Sequence, residues 1–265
     1  MTVVLAGVGA DTTNVGTVAP LYDDGRFEYV PIPEKTRETD EEETFGSWPL
    51  RGRKGVAADL TTRIRPRPIG DDDLVLSGED LAGWPLHRDP NFEALSYGEH
   101  RAGYVSRLRS LEAGDAVGFY AGLSDGDRTH RYLIGSFTVE EIAVVTPETP
   151  PEEREAILER FPENAHAKRA SGTELYREEK AVVLLAGREP GGLLARDPVR
   201  ISDYYVAAGN ERAQYYLRER VSEKLSVVAG RENMTFKPAY ECSIPAERFH
   251  ELLGEPGDRP VDEPA

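Results

Sequence analysis

The sequence contains one cysteine, Cys242, in 265 residues. A single thiol cannot form an internal disulfide, and it excludes any metal site built from several cysteines. No apolar run approaches the ~20 residues that a membrane-spanning helix requires. The N-terminal residues carry no basic segment and lead directly into a predicted strand, so we expect no signal peptide. Together these absences predict a cytoplasmic protein without a membrane partner.

Lysine is also scarce. Six lysines stand against 26 arginines and 48 acidic residues, and the formal net charge is −16. Such an excess of negative charge usually argues against a nucleic-acid partner. The combination of many carboxylates with few lysines is, however, typical of a halophilic protein whose surface is adapted to concentrated salt. Under that interpretation the global charge says little about partners, and local departures from it say more.

The chain is long enough to bury one sizeable core or two modest ones. Strand patterns and three to four helical patterns follow one another irregularly, without a repeated βαβ unit. This order predicts an α+β fold with a mixed or antiparallel sheet, or a partly open β-barrel. Neither an internal repeat nor a strong linker divides the chain. We therefore predict a single domain over residues 1–254 and a disordered tail over residues 255–265.

Local patterns predict the individual elements. An apolar run over residues 3–8 predicts the first strand, and regular apolar spacing predicts a helix over residues 99–112. Two strand patterns on either side of "SDGDRT" predict a hairpin, whereas the charged segment 34–43 is expected to be solvated. Three more helices are predicted: one after Thr149, one over residues 211–229 and one that contains Phe249.

Five sequence motifs occur in an order that points to a family. They are "LAGVGADTTNVGTVAPLYDDGRFEYVPIPE", "HRDP", "GDAVGFYAGL", "RYLIGSFTVEEI" and "NAHAKR". On these motifs the chain resembles the nucleotide-modification-associated domain family, third type, over about residues 3–200. The resemblance implies a role in systems that modify nucleic-acid bases, and it implies no established reaction.

A second resemblance lies within the first. A predicted helix followed by "LEAGDAVGFY" and "YLIGSFTVEEI" is similar to the barrel core of PUA-like, EVE and ASCH domains over residues 99–146. This similarity implies a PUA-like core over residues 99–205. By analogy at the level of the fold, it implies a non-catalytic reader of modified bases.

The stretch "LHRDPNFEALSYGEH" contains the strongest candidate for chemistry. His87 and Asp89 are two residues apart, and with His166 they would form the two-histidine, one-carboxylate set typical of non-haem iron. Pro85 and Pro90 flank the pair, however, and an oxygenase of that kind places its histidine on or just after a strand. We therefore favour an acid–base role or a hydrogen-bonded loop histidine, and we assign no metal ligand. The sequence identifies no cofactor.

A second candidate site follows the first strand. Asp11 can act as a general base, and Thr12, Thr13 and Asn14 can hold phosphate or ribose oxygens. The alternative is that these side chains satisfy the backbone groups of a turn. The catalytic candidates are therefore Asp11, His87, Asp89 and His166.

A basic island interrupts the acidic chain. Between Arg51 and Arg67 there are six basic residues and one acidic residue. A surface that faces phosphate groups explains such an island, with Arg63, Arg65 and Arg67 as contacts. The alternative is a set of arginines neutralised by the acidic segment 34–43.

Four further residues are candidates for nucleotide binding. Arg101 lies near the start of a predicted helix, where anions are favoured, although it can also belong to an exposed polar face. Tyr97 and Tyr120 can stack on a base, but aromatic residues in strands more often pack in a core. Asn164 can bind a base edge or can cap its own loop.

Three functions remain open at this point. The first is a component of a nucleic-acid or nucleotide modification system that binds a nucleotide or base and acts on it. The second is the PUA-like reader, and the third is a non-catalytic protein that binds other members of the modification system. A reader has little need of a histidine–carboxylate pair. An enzyme does need one, and we expect His87, Asp89 and Asp11 to face a common cavity.

Overall fold

Strand β1 (Val3–Gly7) is buried along its whole length. It pairs in parallel with β6 (Ala116–Ser124) and antiparallel with β12 (Tyr240–Cys242), so it lies inside a sheet. A strand with both faces covered has a continuous apolar sequence, and this explains why the run over residues 3–8 predicted it. The computed structural model describes residues 2–68, 70–169, 181–228 and 233–254.

The other described strands complete one sheet and two short ribbons. They are β2 (Ala19–Pro20), β3 (Ile32–Pro33), β4 (Leu86–His87), β5 (Ser96–Glu99), β7 (Thr129–Val145), β8 (Val182–Leu193), β9 (Val199–Arg200), β10 (Ser202–Tyr205) and β11 (Gln214–Leu217). The sheet order is β12–β1–β6–β7–β8–β5, with β2 beside β6 and β9 beside β7. The ribbons pair β3 with β4 and β10 with β11.

The sheet is open and curled into a half-barrel. Its longest strand, β7, has 17 residues and changes register with β8 at Phe137/Thr138 and at Val139/Glu141. Irregularities of this kind bend a strand and increase its twist. Because β1 and β2 run parallel to β6 while the other pairs are antiparallel, the sheet is mixed, as predicted.

The helices lie beside this sheet, and the fold is α+β, as the order of the elements predicted. A short 3₁₀-helix spans Ala57–Leu60. The described α-helices are α1 (Gly78–Ala82), α2 (Ala102–Leu108), α3 (Pro151–Glu159), α4 (Ala165–Arg169), α5 (Glu219–Leu225) and α6 (Ala246–Gly254). None of these helices is long and apolar enough to cross a membrane.

Alternate residues of β1 contribute to two different cores. Val4 and Ala6 pack on one face of the sheet with Leu108 of α2. Val3 and Leu5 pack on the other face, in the core that includes side chains of α5 and α6. Successive side chains of a strand point to opposite faces, so a single buried strand holds the two cores together.

Two predicted helices were wrong in part. Residue 99 is the last residue of β5, which pairs with β8, and helix α2 spans only Ala102–Leu108, so the predicted helix over residues 99–112 was too long at both ends. The predicted helix over residues 211–229 begins instead as β11, and only Glu219–Leu225 is helical. Hydrogen bonds to β10 outweigh the helical spacing there, because local propensity is weaker than tertiary pairing.

The other predicted elements are confirmed where the structure describes them. The turn "SDGDRT" joins β6 and β7 as an antiparallel hairpin. Helix α3 follows Thr149, and α6 contains Phe249. The predicted tail over residues 255–265 lies outside the described residues.

Candidate functional site

The structure builds a buried polar cluster on the ribbon of β3 and β4. Ile32 of β3 pairs with His87 of β4, which brings Glu34 beside the histidine. Glu34 Oε2 lies 2.8 Å from His87 Nδ1, and Arg169 Nε donates to Glu34 Oε1 at 2.7 Å. Glu34 is completely buried. The prediction of a solvated segment over residues 34–43 is therefore wrong at this position, because two partners compensate the buried carboxylate.

Asp89 lies between two histidines. Its Oδ1 accepts a hydrogen bond from the backbone N–H of Gly98 at 2.7 Å. Its Oδ2 lies 3.7 Å from His87 Nε2 and 3.4 Å from Nε2 of His166, which is in α4. The two imidazole rings are almost perpendicular, with centroids 4.9 Å apart. Three of the four catalytic candidates therefore meet, and their ligand-type atoms all lie within 4.8 Å of one another.

Asn164 and Gly98 position His166. The side-chain oxygen of Asn164 accepts from the backbone N–H of His166 at 3.0 Å, and its amide donates to Ser96 Oγ at 3.0 Å. A Cβ atom on Gly98 would lie only 2.4 Å from Cδ2 of His166, so glycine allows this close approach. In this arrangement Asn164 caps its loop and attaches α4 to β5. Its direct role in base recognition stays a prediction.

The environment shifts the pKa values of Asp89, His166 and Glu34. Burial raises the pKa of Asp89 to about 7, against the opposing effects of His87 and the Gly98 N–H. Burial and the nearby charges of His87 and Arg169 lower the pKa of His166 well below its ordinary value. Burial would also raise the pKa of Glu34, but His87 and Arg169 outweigh it and hold this pKa at about 2. The cluster thus holds an ionised carboxylate, a neutral imidazole and a carboxyl group that titrates near neutrality.

Asp11 belongs to a different contact set. Lys237 Nζ lies 3.0 Å from Asp11 Oδ2, while the hydroxyl of Thr13 donates to Oδ1 at 2.6 Å. The backbone N–H of Asp11 donates to the side-chain oxygen of Asn14 at 2.8 Å. These hydrogen bonds satisfy groups of the turn itself, which is the alternative interpretation given above for Asp11, Thr13 and Asn14. Burial raises the pKa of Asp11, but Lys237 and Thr13 outweigh it and hold the pKa at about 2.

A run of polar contacts lies between the Asp11 contact set and the cluster of His87, Asp89 and His166. Arg101 donates to Glu99 Oε2 at 2.5 and 2.8 Å, and its guanidinium lies 3.9 Å from the ring centroid of Tyr104. The Tyr104 hydroxyl donates to the backbone carbonyl of Lys237. Glu99 in turn raises the pKa of Asp89 as a secondary contribution after burial. Whether Asp11 and Asp89 share one cavity stays a prediction.

The tyrosines predicted to stack on a base lie in the cores. Tyr97 is 1% exposed and packs edge-on against Phe119, and Tyr120 is fully buried. The Tyr97 hydroxyl donates to Glu99 at 3.2 Å. Both rings therefore have the core positions of the alternative interpretation.

The basic island lies beside the Asp11 turn. Arg63, Arg65 and Arg67 are exposed, and the backbone N–H of Arg65 donates to the carbonyl of Asn14 at 2.7 Å. The buried acids of segment 34–43 form ion pairs elsewhere. Glu34 contacts Arg169, while Glu41 contacts Arg88 and Lys168. These pairings do not support neutralisation of the island by Glu34 or Glu41.

Two clefts flank Arg88, and sequence analysis did not identify their lining. One encloses about 430 Å³ and the other about 560 Å³, both within the range of small-molecule sites. The lining of the smaller cleft includes Pro90 and Asn91, which directly follow Asp89 in the chain, but not Asp89 itself. Its other lining residues include Tyr29, Trp48, Arg51, Arg88 and Phe92. The larger cleft is acidic and is lined by residues 40–43 together with Arg88, Glu163 and Lys168.

Three important residues were missed, although two of them lie in quoted motifs. Glu34 ends the "PIPE" motif and Arg169 ends "NAHAKR", so each motif contained a partner of His87. Lys237 lies in "NMTFKPAY", which has no distinctive spacing. No local sequence pattern there predicts a buried lysine.

The family comparison is consistent with the order of the motifs. The family model described as nucleotide modification associated domain 3 matches residues 2–249. No curated protein matches the chain. No solved structure matches it either.

Proposed function

The chain belongs to the nucleotide modification associated domain 3 family, and we propose that it binds a nucleotide or nucleobase and acts on it. The reactive centre in this proposal is the cluster of His87, Asp89 and His166. The family supports a part in a nucleotide modification system, and the geometry of the cluster supports a chemical part in it.

The observation that carries the proposal is the convergence of these three buried side chains. Burying an ionisable group is unfavourable unless a partner compensates it. Asp89 nevertheless forms no ion pair with lysine or arginine in the described part of the chain. Groups with strongly shifted pKa values concentrate at reactive sites. A purely structural role does not explain why the carboxylate of Asp89 is buried without a lysine or arginine partner.

The smaller cleft supports the binding of a base next to this centre. Trp48 and Phe92 offer half-buried aromatic surfaces, and Arg88 lies 6.0 Å from the Trp48 ring. Stacking of a base on an aromatic side chain contributes ~1–3 kcal/mol. Arg51 also lines the cleft and carries positive charge for a phosphate. A nucleotide bound there would contact Arg88 and Pro90, the chain neighbours of Asp89.

The non-catalytic PUA-like reader is the second candidate. The aromatic cleft favours it as well, because stacking alone can recognise a base. A reader gains nothing from an unpaired buried carboxylate between two histidines. The dependence of a modified nucleoside on Asp89 and His166 therefore separates the two functions.

The test is mass spectrometry of nucleosides from cells that lack the gene and carry a plasmid-borne copy. We expect a modified nucleoside to change in the deletion strain and to be restored by the wild-type copy. Asp89→Asn and His166→Gln are expected not to restore it, because they remove groups of the reactive centre.

The matched control is His130→Gln, which changes a buried histidine of β7 outside the cluster. This variant should restore the nucleoside fully. Full restoration by Asp89→Asn and by His166→Gln would instead contradict an enzymatic role and support the reader.

A further inference from the structure

We propose that His87, Asp89 and His166 bind one divalent first-row transition-metal ion. Imidazole and carboxylate ligands suit Fe²⁺, Co²⁺, Ni²⁺ and Zn²⁺ in particular. The use of the ion in catalysis rests on the proposed function, but its binding can be measured without any substrate. This inference replaces the expectation from sequence that no metal ligand is present.

The spacing of the three side chains fits an ion better than it fits direct contact. Asp89 Oδ2 is 3.4 Å from His166 Nε2 and 3.7 Å from His87 Nε2, and none of the hydrogen bonds among the described residues joins these side chains. Two ligand atoms that are each ~2.1 Å from a tetrahedral ion lie ~3.4 Å apart. Shifts of less than ~1 Å would bring all three atoms to that spacing.

The surrounding hydrogen bonds prepare two of the three ligand atoms. Nδ1 of His87 already has two partners, Glu34 Oε2 at 2.8 Å and Arg169 Nη2 at 3.1 Å, so Nε2, which faces Asp89, is the ring nitrogen left for an ion. Carboxylate–histidine pairs of this kind orient metal ligands in many proteins. The Gly98 N–H occupies only Oδ1 of Asp89, which leaves Oδ2 available to an ion.

His166 provides an independent indication of a ligand. The residue is 2% exposed, yet its Nδ1 atom has no hydrogen-bond partner among the described residues. An imidazole that is buried without its hydrogen bonds is unfavourable. Coordination at Nε2, the atom that faces Asp89, would give this buried ring a favourable contact of its own and would leave the hydrogen on Nδ1.

The charge of the cluster also favours a cation. Glu34 is paired with Arg169, and Glu99 is paired with Arg101. Asp89 has no lysine or arginine partner in the described residues, and its nearest basic groups are the imidazoles of His87 and His166. A divalent ion would provide the missing positive charge.

The principal test is a titration of the metal-free full-length protein with Co²⁺. Calorimetry and visible absorption monitor the binding. We expect one equivalent to bind with the visible bands of a cobalt–imidazole site. Each of His87→Gln, Asp89→Asn and His166→Gln should weaken binding at least ~100-fold. His130→Gln should bind as the wild type does, and circular dichroism verifies that every variant is folded.

Two variants test positioning without removing a ligand. Glu34→Gln should weaken Co²⁺ binding ~10–100-fold, since it changes the group that orients His87. Gly98→Ala should weaken it because a methyl group there collides with the His166 ring. Gly103→Ala in α2, where nothing lies within 4 Å of the added carbon, is the matched control.

The inference is overturned if the wild type binds neither Co²⁺ nor Zn²⁺, or if the three ligand variants bind Co²⁺ as tightly as the wild type. The outcomes also separate the two proposals. A nucleoside that depends on His166 without Co²⁺ binding refutes only the metal site. Stoichiometric Co²⁺ binding with no nucleoside change in the deletion strain refutes only the proposed function.

Discussion

The Asp11–Lys237 pair and the His87–Asp89–His166 cluster use buried charge in opposite ways. The ammonium group of Lys237 lies 3.0 Å from Asp11, 2.9 Å from the carbonyl of Gly9 and 3.2 Å from that of Val8. An ammonium has three donors, so this group is fully satisfied. In the cluster, by contrast, Asp89 Oδ2 accepts no hydrogen bond from the described residues, and His166 Nδ1 lacks a partner among them.

This difference distinguishes charged groups that stabilise the fold from charged groups that remain available to a substrate. Both regions were catalytic candidates on sequence, because each contains an aspartate beside polar side chains. A carboxylate whose partner is fully satisfied can stabilise the fold but has little capacity left for a substrate. Four experiments can break or sharpen the comparison.

The largest effect on stability is expected for Lys237→Met. Removing one member of a fully buried ion pair destabilises a protein by about 3–5 kcal/mol, and because Asp11 is 22% exposed we expect the lower end of that range, about 3 kcal/mol. Urea denaturation measures the loss in the free energy of unfolding. Lys224→Met, which changes an exposed lysine of α5, should stay within ~0.5 kcal/mol of the wild type. Equal effects of the two variants would show that the buried pair does not stabilise the fold.

Asp11→Asn should have a smaller effect that depends on pH. The pKa of Asp11 is about 2 in the fold, against an ordinary value of 3.8, so its charge stabilises the native state by about 2 kcal/mol above pH 4. That contribution is lost as the pH falls toward 2, because the depressed carboxylate finally takes up its proton. The difference in unfolding free energy between wild type and variant should therefore shrink over this interval. A difference that is independent of pH would contradict the assignment.

Asp89→Asn is expected to change stability by less than ~1 kcal/mol, although it removes a buried charge. The asparagine retains an oxygen for the Gly98 N–H, and no lysine or arginine loses an ion-pair partner. The same urea titration measures this. A loss of 3 kcal/mol or more would place Asp89 with the structural charges and remove the contrast between the two regions.

The smallest effect on stability is expected for the triple variant Arg63→Gln, Arg65→Gln and Arg67→Gln. These side chains are exposed, so each change should fall within ~0.5 kcal/mol. If they contact phosphates, binding of a single-stranded oligonucleotide should lose about 2 units from its slope of log affinity against log salt concentration. An unchanged slope would contradict a phosphate-facing surface, and binding by the wild type that survives high salt would point to stacking in the cleft.

Much of the architecture could be predicted because it is encoded locally. The apolar run at β1, the turn between β6 and β7 and the helix that contains Phe249 each follow from neighbouring residues. The prediction was wrong where a distant strand decided the outcome. Gln214–Leu217 has helical spacing, but pairing with β10 makes it a strand.

The candidate site divides in the same way. Sequence alone identified the family, the α+β class and the pair His87 and Asp89, since these depend on motifs and periodicity along the chain. Only the tertiary structure brought His166 to Asp89 and buried Glu34 between His87 and Arg169. Those partners are 53 to 135 residues apart in the numbering, and no local pattern records their pairing. The physical reason is that burial turns an ordinary acidic residue into an ion-pair partner, and burial is a property of the folded chain.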